Sequence, residues 1–363
     1  MNGAMKPVEI EPGYCISRII QGGWQISAGH RLTERPGSAG GGEVNWVDLL
    51  AERALAGKTT FDCADIYTGV EETLGQVRRR ILELGGEEPQ IHTKCVPDLG
   101  RLANLERRDL EATIDRSLRR LGVDRLDLVQ FHWWDLEIPG WIEAATWLDE
   151  MRQAGKIRLL GATNFPTWAL RELLEGGIPI RTHQLQYSLL DRRPAGEMTE
   201  LCRAHGVHLL CYGGLAGGLL SSRFLRAGLP AEPRNRSEVK YRLIVEEAGG
   251  WQRVEELLRE LDELGATSPG DDSSRESAAP LAVRWVLEQD CVAAAIVGAS
   301  PHRDVGLEDI ANLDRRALEH LRTLPGAGLQ SPPGDVYELE RDREGRHGRI
   351  MRYDLQVEPT NAS

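Results

Sequence analysis

The chain has 363 residues, 41% of them hydrophobic, with 44 Lys plus Arg against 56 Asp plus Glu for a formal net charge of −12. This describes a globular chain with a sizeable core, whose acidic balance offers no field for a phosphate backbone; nucleic acid is not an expected partner, and no apolar run approaches the roughly 20 residues of a membrane span. The opening MNGAMKPVEIEPG lacks an export pattern, so the six cysteines read as reduced thiols in the cytoplasm.

Taken in order, eight short apolar runs read as parallel strands covered on both faces: Ser17–Gly22, Thr59–Ala64, Gln90–Cys95, Leu126–His132, Arg158–Asn164, Thr182–Ser188, Val207–Gly213 and Ala293–Gly298. Amphipathic helical runs alternate with them: Trp46–Ala56, Val70–Leu84, Leu105–Leu121, Trp141–Ala154, Thr167–Leu174, Gly196–Ala204, Ala279–Leu287 and Val305–Leu313. Eight β-then-α repeats predict an α/β fold, a (β/α)₈ TIM barrel over residues 1–324, with a site built at the C-terminal strand ends. Two segments break the alternation. Residues 221–278, after the seventh strand, form an insertion with a helix over Trp251–Leu264 and a Ser/Gly/Asp-rich loop over Thr267–Ser277. Residues 325–363 form a polar C-terminal extension, either a solvated tail or a lid over the barrel mouth.

Consecutive strand ends carry Asp62 and Tyr67, then Lys94, then His132. Neighbouring parallel strands bring these to one point. A buried Lys94 needs a counter-charge, which Asp62 supplies. The Lys94 ammonium is expected to lower the Tyr67 phenol pKa and suit it to proton transfer. His132 orients a carbonyl oxygen or helps protonate it. Singly, each residue has a structural explanation as cap, rim aromatic, ion pair or core histidine; four together at consecutive strand ends point to a site.

In these motifs the sequence resembles the aldo-keto reductase superfamily. They are Phe61-Asp62-Cys63-Ala64-Asp65-Ile66-Tyr67, Glu71 to Gly75 (EETLG), Thr93-Lys94, Phe131-His132-Trp133, Gly155 to Arg158 (GKIR), Leu160 to Phe165 (LGATNF), Gln184 to Tyr187 (QLQY) and Ile296 to Ser300 (IVGAS). They run in order from about Ile19 to Leu324. The resemblance implies an NAD(P)H-dependent enzyme interconverting an aldehyde or ketone and its alcohol. Tyr67 is then the general acid/base, Lys94 and Asp62 its partners, and His132 the substrate-orienting residue. Thr163, Asn164 and Gln184 match groups that bond the nicotinamide carboxamide, and Tyr212 the aromatic on which the ring stacks. The turn Gly213-Gly214-Leu215-Ala216-Gly217 either approaches a pyrophosphate or is simply tight; Gly213-Gly214 replaces the family's usual Ser-Pro. Ser300 and Arg303 match the adenosine end, where Asp304, Glu308 and Asp309 oppose a 2′-phosphate. NADP(H) is favoured by family habit, with NAD(H) the alternative.

Trp24, Trp133 and Trp134, at or just beyond strand ends, are expected to wall a substrate pocket. Cys202, His205, His208 and Cys211 have zinc-like spacing, but a helix end and alternating strand positions do not converge, so no metal is expected. Two other readings remain: a redox-neutral epimerase or dehydratase using the cofactor transiently, and a non-catalytic cofactor-binding regulatory subunit. Substrate identity and oligomeric state are not specified by these features.

Overall fold

The computed structural model describes residues 5–27, 44–233, 235–266, 278–301, 305, 315–326 and 328–351. A short hairpin, β1 (Val8–Glu11) and β2 (Tyr14–Ile16), precedes the barrel. The eight barrel strands are β3 (Ile19–Gly22), β4 (Thr60–Asp62), β5 (Gln90–Cys95), β6 (Leu126–Phe131), β7 (Ile157–Thr163), β8 (Ile180–Gln186), β9 (His208–Tyr212) and β10 (Val292–Gly298). All pairings are parallel, and β10 pairs with both β9 and β3, closing the barrel. All eight strand readings hold to within three residues at either end.

The hairpin escaped the sequence reading because strands of three and four residues are too short to show alternation. It seals the N-terminal end of the barrel. Ile10, Tyr14 and Ile16 pack with Ile20, Leu128, Leu159 and Leu210 in an apolar layer inside the strands. Above it, the Tyr14 hydroxyl meets His92 Nε2 at 3.1 Å. The barrel is therefore a filled core whose polar groups begin one layer up.

Helices cover the outside. Asn45 caps Trp46–Leu55 by accepting from the Val47 and Asp48 N–H groups. Arg107–Leu121 buries Leu110, Ile114 and Leu121 at helical spacing and stops at Gly122 in the left-handed region. The expected helix over Val305–Leu313 falls outside the described residues except at Val305, as does the loop over Thr267–Ser277. The insertion holds two helices besides the expected one: Arg223–Ala227 and Arg236–Glu247, followed by Trp251–Ala266. Within the C-terminal extension, Val336, Tyr337 and Glu340 are buried, and the chain is tied to the barrel mouth by bonds described below. Among the described residues, no helix is long and apolar enough to cross a membrane.

Candidate active site

The site begins with strand register. Lys94 on β5 stands opposite Gln130 on β6, and Gln130 opposite Gly161 on β7. A side chain at position 161 would overlap the Thr182 hydroxyl and crowd Gln130, so only glycine leaves room for this polar layer. In the space so kept, Lys94 Nζ donates to Asp62 Oδ2 at 2.6 Å and to the Cys63 carbonyl at 2.8 Å. Asp62 Oδ1 accepts from Gln130 Nε2 at 3.0 Å and Gln184 Nε2 at 2.6 Å, and Gln184 also donates to Gln130 Oε1 at 2.9 Å. Every polar atom of this buried ion pair that faces the barrel is matched, which a desolvated pair requires.

Tyr67 reaches the pair by a turn. Its N–H donates to the Ala64 carbonyl, and its own carbonyl accepts from Val70, where helix Val70–Glu83 begins. The turn folds the phenol back over the strand end, with Lys94 Nζ 5.2 Å from the ring centroid. Behind the turn, buried Glu71 accepts from Thr93 Oγ1 at 2.7 Å and from Arg120 at 3.2 Å. Asp65 accepts from the Val96 N–H at 3.1 Å, and its carboxyl is pushed up to about 7, first by burial and then by Glu71. These contacts fix the angle at which the phenol enters the mouth.

The expected lowering of the Tyr67 pKa is corrected by the structure. Burial, then the negative charge of Asp62, holds the phenol well above its ordinary value. His132 is also neutral: burial, reinforced by Arg341, pulls it down to about 3. Its Nδ1 lies 3.2 Å from the Thr163 carbonyl, which can only accept, so Nδ1 carries the proton and Nε2 is left as an acceptor. Of the two roles expected for His132, protonating a carbonyl is therefore removed.

These groups line one cavity of about 700 Å³ at the barrel mouth. Asp62, Tyr67, Lys94 and His132 share it with Thr163, Asn164, Gln184 and Tyr212. Gly213, Gly214, Leu215 and Gly217 lie along the same wall, as does Ser300. Arg303 lies outside the described residues. Asn164 adopts φ 62°, an uncommon conformation for a residue other than glycine, and its Oδ1 accepts from the Tyr212 hydroxyl at 2.8 Å. The Thr163 hydroxyl is buried with no hydrogen-bond partner among the described residues. An unmatched hydroxyl beside a fixed amide and an aromatic ring fits the polar edge of a nicotinamide. Gln184 differs from expectation: its amide nitrogen is committed to Asp62 and Gln130.

The tryptophans divide. Trp24 and Trp134 line the cavity, with Trp134 edge-on to His132 at 4.7 Å between centroids. Trp133 does not: it is fully buried, packs against Phe131 at 6.0 Å and donates to the Ile138 carbonyl. At a strand end, a one-residue step sends adjacent side chains to opposite sides of the sheet.

Among the cavity residues that escaped the sequence reading are Lys240, Tyr241 and Tyr337. The first two lie on an unrecognised helix of the insertion. Tyr337 comes from the C-terminal extension and stands edge-on to His132, centroids 5.9 Å apart. Arg341, four residues on, donates to the carbonyls of Trp133, Trp134 and Asn164 at 2.5–2.8 Å. Burial pulls its guanidinium down to about 10. The signal available was the extension's Tyr337-Glu338-Leu339-Glu340-Arg341, where an aromatic and an aliphatic break a charged run.

A closed parallel (β/α)₈ barrel with an ion pair, a phenol and an imidazole at its C-terminal mouth has the layout of a barrel enzyme, whose active site is built at that face. Comparison with known proteins makes this specific: residues 18–305 match the aldo/keto reductase family, and the chain belongs to that family. It is 27% identical over 320 residues to the NADH-specific methylglyoxal reductase of Escherichia coli K12, covering 82% of this chain and 90% of the relative. It is 30% identical over 278 residues to the L-glyceraldehyde 3-phosphate reductase of the same organism, covering 71% and 77%. The glycerol dehydrogenase AKR11B4 of Gluconobacter oxydans shares its fold, with a TM-score of 0.67 at 23% identity over 89% of this chain and 95% of that one. The protein is thus an oxidoreductase-family enzyme, and the cofactor of the family is a nicotinamide nucleotide.

Proposed function

We propose that this enzyme interconverts a small aldehyde or ketone and its alcohol, with Tyr67 transferring the proton. One observation carries the reading: the Tyr67 phenol and the His132 ring share a single cavity with the Thr163–Asn164–Tyr212 wall. A nicotinamide cofactor bound on that wall supplies or takes up the hydride. Thr163 and Asn164 would hold its carboxamide, Tyr212 would carry its ring, and the turn from Gly213 to Gly217 would meet its phosphates.

The chain's own residues do the rest. A phenol held above its ordinary pKa is neutral at neutral pH, so Tyr67 acts as a proton donor. Proton release from Tyr67 matches the charge that grows on a carbonyl oxygen as it is reduced. His132 Nε2, an acceptor, takes a hydrogen bond from the hydroxyl that forms. Lys94 and Asp62 hold the phenol's floor in place, and Trp24 and Trp134 shield the reacting atoms from water.

NADP(H) remains favoured by family habit and NAD(H) its rival; the NADH specificity named for the E. coli relative supports the rival. A reducing, cytoplasmic setting is part of the reading, supported by six thiols, none of them paired. The test is Tyr67→Phe against a panel of carbonyl compounds. Turnover is expected to fall by about 10²–10⁴-fold, with the cofactor still binding by nicotinamide fluorescence. Unchanged turnover would overturn the mechanism. Titrating NADPH and NADH on the parent enzyme decides the cofactor.

A further inference from the structure

Lys240 is unlike Lys94, the other lysine lining the cavity. It sits on helix Arg236–Glu247, is 6% exposed and lines the cavity. Its ammonium makes no hydrogen bond among the described residues. It is ringed instead by three tyrosines: Nζ lies 4.9 Å from the Tyr212 centroid, 5.5 Å from Tyr241 and 5.8 Å from Tyr337. Its nearest carboxylate, Glu340 Oε1, is 3.8 Å away, too far for a hydrogen bond. Glu340 is also engaged elsewhere, because Arg193 grips both its oxygens at 3.1 Å.

The acids near it are already engaged. The groups acting on Lys240 are Glu340, Arg193 and Asp191, and Arg193 pairs with both acids. Arg341 adds a cation bonded only to carbonyls. Arg193 thus takes the hydrogen bonds of both acids and leaves Lys240 only the longer contact to Glu340. A desolvated ammonium with three unused donors, facing a cavity, is costly unless something enters to match it.

We infer that Lys240 is an anion-binding residue of the substrate cavity, taking a carboxylate or phosphate group carried by the carbonyl compound. The three tyrosine faces hold the ammonium in place without satisfying its donors. Tyr337 also sets the distance. It lies 5.8 Å from the Lys240 ammonium and stands edge-on to His132 at 5.9 Å between centroids, so the anion subsite and the histidine that faces the reacting oxygen border the same aromatic ring. A substrate reaching both would be small, with its charge within a few bonds of its carbonyl. The inference rests on the carbonyl chemistry proposed above.

The probes follow from that spacing: 4-formylbenzoate, its neutral methyl ester, and 4-formylphenyl phosphate, each assayed with both NADPH and NADH. The parent enzyme is expected to favour at least one anionic aldehyde over the ester in kcat/KM. Lys240→Met is expected to reduce that ratio by about 10- to 100-fold, the range for a hydrogen bond to a charged group. Lys240→Arg, which keeps the charge, should restore much of it. Thermal melts establish that both variants fold, and Lys240→Gln, which also removes the charge, carries the test if the Met variant does not. An anion-to-ester ratio that Lys240→Met leaves unaltered overturns the inference. So does weaker binding of either cofactor with an unaltered ratio, which would place Lys240 at the cofactor phosphates. If no aldehyde turns over, the reductase reading fails by itself. Binding of 4-formylbenzoate, followed by quenching of the tryptophans in the cavity wall, then decides: loss of binding in Lys240→Met supports the subsite, and equal binding removes it.

Discussion

Two buried lysines line the same cavity and meet opposite surroundings. Lys94 is bonded to Asp62 at 2.6 Å and to a backbone carbonyl, and Asp62 is in turn bonded by two glutamines. Lys240 has aromatic faces around it and a carboxylate at 3.8 Å that Arg193 already holds. The first cation has its donors matched inside the protein and fixes the geometry of its neighbours. The second keeps its donors for what enters the cavity. Burial alone does not distinguish a structural ion pair from a binding group; the hydrogen-bond accounting does.

The contrast can be broken from either side. Lys94→Met leaves Asp62 buried without its counter-ion, and we expect the largest loss of stability, about 3–5 kcal/mol in a denaturant melt. A loss below about 1 kcal/mol would mean that the two glutamines suffice. Glu340→Gln comes next, at about 1.5–3 kcal/mol, because it weakens the paired bonds from Arg193 that tie the C-terminal extension to the barrel. Hydrogen exchange should show residues 335–342 opening first.

The Glu340 contribution has a defined pH window. Despite its burial, Arg193 and Lys240 hold this carboxyl down to about 2, against an ordinary value of 4.5. A depressed native pKa means the unfolded chain binds the extra proton. The stabilisation is therefore complete above pH 4.5 and is lost as pH falls toward about 2. The gap in stability between the parent enzyme and Glu340→Gln should be widest at neutral pH and narrow across that interval. A gap constant with pH would show that Glu340 acts through packing alone.

The smallest effect is the most telling. Lys240→Met replaces a desolvated ammonium with an apolar chain of similar length while Arg193 still neutralises Glu340. We expect stability within about 1 kcal/mol of the parent, or slightly above it. A loss matching that of Lys94→Met would erase the distinction between the two lysines.

Much of this was legible in the amino-acid sequence. The eight strands were readable because each is buried on both faces and bounded by turn residues. Asp62, Tyr67, Lys94 and His132 could be placed together because strand ends in a parallel barrel converge by geometry, and the cavity contains all four. Local pattern failed where a side chain's fate depends on a single step of register. Trp133 and Trp134 are adjacent and chemically identical, yet one fills the core and the other lines the cavity. It failed again for the protonation of Tyr67 and His132, because these follow from burial and from distant charges, Arg341 among them.

The sequence by itself determined the barrel, the polar layer at its mouth and the family to which the chain belongs. Periodicity and the spacing from Asp62 to Tyr67 are local properties, and they survive without knowledge of the fold. Only the tertiary structure decided that residues near positions 193, 240 and 340 meet, since helix Arg236–Glu247 and the extension reach the mouth across more than a hundred residues of intervening chain from Arg193 to Arg341. Long-range charge pairing leaves no periodic mark on a sequence; it appears only when desolvation forces each buried ion to find its partner, or to be left without one.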